Sequence, residues 1–171
     1  MIDNKILNID KILELDSNEK HIPLIEKVIK LAEELGDLQT AKLYFTAKEY
    51  MEETYDAFNI SVATYNTVKG SKLTPEQVSL LKSQIDKVDS ENKLESAIPI
   101  FYGKICASLL YSMNSDIKSR NIKDKDLEAY LFELIILLAS QLKYIYRENI
   151  DFNSIVMEKL NKWEEKQSEY I

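Results

Sequence analysis

Apolar side chains recur every three or four positions along nearly the whole chain, and no alternating period-two runs bounded by turns compete with them. Ile6, Ile9, Ile12 and Leu13 predict a helix over 2–15, closed by the polar cluster Asp16-Ser17-Asn18. Pro23 stands where a second helix begins. Its apolar face is Leu24, Val28, Leu31 and Leu35, and the pattern runs on through Leu38, Ala41 and Tyr44. A further helix covers roughly 49–68 and ends at Lys69-Gly70-Ser71, with glycine on the C-terminal side. Thr74-Pro75-Glu76-Gln77 has the form of a capping box with proline at the first helical position, and opens a helix to about residue 88. After the polar break at 89–92, helices are expected over about 94–113, interrupted or restarted at Pro99, and over 126–148, with a polar loop from Asn114 to Lys125 between them. Asp151 opens a last helix over 152–169. The fold class predicted is all-α.

Composition sharpens this. Only three glycines and three prolines occur in 171 residues, far below ordinary usage, so a strand-rich domain with frequent tight turns is excluded. Gly36, Gly70 and Gly103 stand too far apart for a glycine-rich phosphate loop. The length suits one domain over 1–171 with a proper core. A net charge of −7 disfavours nonspecific binding to nucleic acid or to an anionic membrane. The local basic run Lys118, Arg120, Lys123 and Lys125 is interleaved with aspartates and reads as a solvated loop. One Cys and one His rule out an intrachain disulfide and a Cys/His zinc site. Cys106, in an apolar run, reads as a small buried residue, and a reducing cytoplasm fits. The first twenty residues lack a targeting pattern, and the most apolar window, 131–142, is too short to span a bilayer.

One local pattern carries chemistry. Glu33, Glu34 and Asp37 share a helix, and fifteen residues separate Asp37 from Glu53 and Asp56 on the next. Positions three and four apart share a helix face, where like charges destabilise it. Two such helices packed together gather four or five carboxylates, whose repulsion raises their proton affinity unless a cation neutralises them. Oxygen-only clusters suit Mg²⁺ or Mn²⁺, and those ions suit polyphosphate substrates. The competing reading is a solvated acidic face. Leu31, Leu35 and Leu38 beside the first cluster, and Tyr55, Phe58 and Ile60 beside the second, place both next to an apolar surface. Gly36 costs a helix about 1 kcal/mol, and reads as room for another backbone or a ligand.

The stretch Lys30-Leu31-Ala32-Glu33-Glu34-Leu35-Gly36-Asp37-Leu38, followed by Glu53-x-x-Asp56, resembles the MazG-type all-α nucleoside triphosphate pyrophosphohydrolases, whose pattern is E-E-x-x-E and then E-x-x-D. The run from Asn149 to Glu164 resembles their closing helix. The resemblance covers the first third and the last sixth of the chain. It implies a four-helix-bundle core, homodimers or higher homo-oligomers, and Mg²⁺-dependent hydrolysis (Mn²⁺ in its place) of a nucleoside triphosphate to monophosphate and pyrophosphate. It implies Glu33, Glu34, Asp37, Glu53 and Asp56 as metal ligands, with Glu33, Glu34 and Glu53 catalytic. Asn59 and Lys69 would contact base or phosphate. Tyr55 and Phe58 would stack on the base or pack in the core.

Three departures stand against it. Asp37 takes the place of a glutamate. The segment from about 66 to 148 is longer than the simplest members need. No glycine or proline separates Asp37 from Glu53, so a straight helix would hold the two clusters about 24 Å apart; a turn near Phe45–Glu49, with Thr46 as cap, is required. Residues 94–148 echo 22–69, either as a degenerate second copy or only as one pair of amphipathic helices resembles another; in that alignment Ile100, Phe101 and Lys104 stand where Glu33, Glu34 and Asp37 would fall. The rival reading is therefore a non-catalytic helical protein on the same scaffold, binding a nucleotide or a protein partner.

Overall fold

Helices α3 (Leu24–Tyr44) and α4 (Ala47–Val68) are separated by only Phe45 and Thr46. Neither glycine nor proline makes this reversal. Both residues adopt extended backbone angles, and Thr46 and Glu49 form a reciprocal capping box. The cap satisfies backbone donors that a new helix would otherwise leave unpaired. The required break thus falls where the carboxylate spacing demanded it, and α4 folds back along α3.

The computed structural model describes residues 1–90, 96–113 and 124–169. These residues contain helices and no strand. Ahead of α3 lie α1 (Asn4–Leu7) and α2 (Ile9–Asn18); after α4 come α5 (Pro75–Lys87), α6 (Ala97–Met113), α7 (Asp124–Ile145) and α8 (Phe152–Glu169). The first predicted helix is in fact two. Asn8 sits in the left-handed region at φ 55° and ends α1, a conformation asparagine tolerates better than most residues. The Thr74 capping box forms as predicted, with Pro75 at the start of α5. Pro99 lies in the first turn of α6 and does not interrupt it. Of the predicted breaks, the loop from Asn114 to Lys125 falls mostly outside the described residues, as do Glu91 and Asn92.

Helix α4 is central. It packs along α3, α7 and α2, while α6 lies against α7 and touches α3. Two helical hairpins, α3–α4 and α6–α7, therefore meet through α4 and α7 in a bundle-like core. Tyr55 and Phe58 of α4 are fully buried within it. Their rings lie 6.1 Å apart, Tyr55 also meets Phe152 edge-on at 5.7 Å, and its hydroxyl donates to the Leu7 carbonyl at 3.0 Å. Tyr55 ties α1, α4 and α8 together, and burial of both rings forecloses stacking on a ligand. α8 also docks on α2, where Gln167 Nε2 donates to the Leu15 carbonyl at 2.7 Å. No described helix is long and apolar enough to cross a membrane.

Candidate metal centre and its groove

Glu34 and Asp37 are one turn apart on α3, and Glu53 stands on α4 across the capped reversal. One carboxylate oxygen from each lies within 4.8 Å of the others. These are three hard oxygen donors from two rigid elements, the donor chemistry of Mg²⁺ or Mn²⁺. Burial, first, and then the neighbouring Asp56, Asp37 and Glu34 hold the Glu53 carboxyl above the usual glutamate value, against the pull of Lys159. A group under that stress is the one a cation would relieve most.

Two of the five sequence-derived ligands stand outside the triad. Glu33 points to solvent, 60% exposed, and pairs with Lys30 at 3.1 Å. Its place on the helix turns it away from α4, because consecutive residues are about 100° apart and Glu34 already faces inward. Glu34 is 13% exposed and accepts from the same lysine at 2.8 Å. Asp56 lies one turn beyond Glu53, but Lys159 of α8 holds its Oδ2 at 2.5 Å. Burial raises the proton affinity of Asp56, and the bond to Lys159 opposes that rise. The ammonium of Lys159 and the carboxylates of α3–α4 thus form one charge network.

Beside the triad opens a groove of about 490 Å³ between α3, α4 and α8, with the end of α2 at its far side. Glu34 and Asp56 form its acidic edge. Lys27, Lys30, Lys159, Lys162 and Lys166 line it against four carboxylates, in a chain whose net charge is −7. Four of these lysines are already paired with acids, Lys27 with Asp16, Lys30 with Glu33 and Glu34, Lys159 with Asp56 and Lys162 with Glu158, so an anion in the groove competes with those carboxylates. Lys159, Lys162, Trp163 and Lys166 follow helical spacing on one face of α8. Their helical period is the signal of this face in the sequence. Trp163, half-buried, donates its indole N–H to Glu19 at 2.7 Å.

Asn59 also lines the groove, and its Oδ1 is buried without a hydrogen-bond partner among the described residues. Lys69 is elsewhere. It caps α4 and pairs with Glu128 of α7 at 2.7 Å, more than three helical turns from Asp56. Gly36 faces solvent, and a Cβ there would meet nothing within 4 Å, so among the described residues no other element approaches it. Elsewhere, a cleft of about 580 Å³ near Thr46 and Arg147 has several of its polar side chains engaged: Asp151 holds Ser154, and Glu158 holds Lys162. Among the described residues, the three-carboxylate cluster of α3–α4 is the one group with metal-ligand geometry. Compared with known protein families, curated proteins and solved structures, the chain matches none.

Proposed function

We propose that the protein is a divalent-cation-dependent pyrophosphohydrolase acting on a nucleoside triphosphate. The observation that carries this reading is the junction of an oxygen triad, Glu34, Asp37 and Glu53, with a lysine-lined groove large enough for a nucleotide. Three carboxylates alone suit a cation; cationic side chains at their border suit an anion that arrives with it.

Glu34, Asp37 and Glu53 would hold Mg²⁺ or Mn²⁺. Such an ion, when bound, polarises phosphoryl oxygens and lowers the pKa of water. Lys30 and Lys159 stand between triad and groove and donate to phosphate oxygens, offsetting charge that builds as the α–β bridging oxygen leaves with pyrophosphate. The water oxygen forms the new bond to the α-phosphorus, and its proton passes to a carboxylate and then to solvent. The oxygens of Glu34, Asp37 and Glu53 that do not face the ion would be the nearest acceptors for it. Glu33, paired with Lys30, orients that lysine and does not touch the reacting atoms.

Incubation with a panel of ribo- and deoxynucleoside triphosphates and Mg²⁺ tests the reading, by assay of pyrophosphate and monophosphate. Product from at least one nucleotide, lost in Glu53→Gln, is expected. No product from any of them, together with the same melting temperature in millimolar Mg²⁺ and in EDTA, would favour a non-catalytic helical scaffold.

A further inference from the structure

Two lysines border the triad, and each is bonded to an acid of the α3–α4 wall. Lys30 lies 2.8 Å from Glu34, itself a member of the triad. Lys159 lies 2.5 Å from Asp56. The other paired lysines of the groove are held differently: Lys27 is buried with Asp16, and Lys162 pairs with Glu158 on its own helix. Of these four, Lys30 and Lys159 are the two whose partners belong to the wall suited to a cation.

The pairs and the triad form one electrostatic unit. Asp56 feels the field of Glu34, and Glu53 feels those of Asp56, Lys159 and Asp37. Lys159 in turn feels Asp56, Glu53 and Glu52. A divalent charge among Glu34, Asp37 and Glu53 attracts Asp56 and repels both ammoniums, and each effect weakens the lysine pairs. The metal-free edge has the opposite property. Its four carboxylates, Glu34, Asp37, Glu53 and Asp56, face two ammoniums that are already engaged, so it repels a polyanion.

Lys159 can change partners without any movement of its helix. Phe152, Ile155, Val156 and Leu160 are buried and anchor the first half of α8, and Lys159 belongs to that half. Its side chain is 23% exposed and lines the groove, and its flexible four-carbon stem lets the ammonium turn from Asp56 toward a ligand. Lys30 is the lesser of the two: it is half-exposed, and it keeps Glu33 as a partner at 3.1 Å when Glu34 is taken.

We infer that Lys159, seconded by Lys30, is an internal counter-ion that keeps the groove closed to polyanions until a divalent cation displaces it, so that cation binding precedes and enables anion binding. This regulation rests on the reading above, that the triad takes a cation and the groove a polyphosphate. It differs from simple bridging of the anion by the metal, which predicts no gain from freeing Lys159 in the absence of metal. The probe is inorganic tripolyphosphate, titrated calorimetrically into the full-length protein in metal-free buffer and in Mg²⁺. The wild type should bind it more tightly in Mg²⁺. Asp56→Asn keeps the side-chain shape and releases Lys159, and should raise the metal-free affinity about fivefold, the worth of one partly buried ion pair. Asp56→Asn combined with Lys159→Met should return it to the wild-type value. Glu76→Gln, which removes the same charge from α5 outside the groove, should leave it unchanged. Equal metal-free affinities in wild type and Asp56→Asn overturn the exchange. So does a gain that survives Lys159→Met, a gain that Glu76→Gln reproduces, or equal affinity of the wild type with and without Mg²⁺. In each of these cases Mg²⁺ binding, titrated alone, leaves the cation site standing. If the wild type binds neither Mg²⁺ alone nor tripolyphosphate in its presence, the underlying reading falls and the exchange with it.

Discussion

Lys159 Nζ lies 2.5 Å from Asp56 Oδ2, so an ammonium from the last helix sits against the carboxylate wall that α3 and α4 build. Lys159 keeps its proton more firmly than an ordinary lysine: burial works against its charge, but the bond to Asp56 and the fields of Asp56, Glu53 and Glu52 outweigh that. It is a tethered cation placed beside a site suited to a free one.

Removal of that ammonium should therefore strengthen metal binding. In Lys159→Met, Asp56 is released and the triad gains a fourth carboxylate. Mn²⁺ affinity, followed by electron paramagnetic resonance, should rise about fivefold, the equivalent of roughly 1 kcal/mol for one partly buried ion pair. Lys159→Arg should stay near wild type. An unchanged affinity in Lys159→Met would show that Asp56 does not join the ligand set.

The acidic cluster also fixes a pH dependence. Glu53 and Asp56 both bind protons more tightly in the folded chain than their ordinary values of 4.5 and 3.8. The folded state then holds more protons than the unfolded one across that window, so metal-free stability falls as pH rises through it. Glu53→Gln should raise the melting temperature in EDTA at neutral pH and flatten this fall. Mg²⁺ should act in the opposite sense, stabilising the wild type more at about pH 8 than at about pH 5 because its ligands must be deprotonated. Melting curves at both pH values, with Mg²⁺ and with EDTA, check both halves.

Beneath the groove, Lys27 and Asp16 form an ion pair that is almost wholly buried, with Asn66 completing the bonds of the aspartate. Lys27→Met alone strands a buried carboxylate and should cost about 3–5 kcal/mol in urea denaturation. The double variant Asp16→Leu with Lys27→Met should cost clearly less than the sum of the single changes, since it leaves no unpaired charge. Additive losses would mean that the two side chains are not coupled.

Gly36 gives a prediction of opposite sign. Its backbone is helical and a Cβ there would meet open space, so Gly36→Ala should stabilise the protein by about 0.5–1 kcal/mol. Mg²⁺ affinity should be unchanged. A loss of nucleotide binding in this variant would restore the idea that the glycine makes room for a ligand.

The sequence alone determined the helices and most of their ends. Periodicity and caps act within about one turn, so the Thr46 reversal, the Thr74 box and the start of α8 near Asp151 are legible from neighbouring residues. Asn8 escaped because apolar spacing continues unbroken across it, and a single left-handed residue leaves no mark on that pattern. The candidate site was legible as a set of carboxylates, but its membership was not. Glu33 and Glu34 are equivalent in composition; only the rotation of α3 against α4 turns one inward and leaves the other in water. Asp56 has the spacing of a ligand, yet a residue 103 positions away claims it. Tyr55 and Phe58 carry the rings that local reasoning would offer to a base, and tertiary packing buries both. Trp163 lies in the last helix, and only the docking of α8 on α2 and α4 brings it to the groove. Helix formation is decided by short-range hydrogen bonds and side-chain period, which the chain writes locally. Which faces meet is decided by burial of apolar surface among elements far apart in sequence, and that packing turned a row of acids and a row of lysines into one groove.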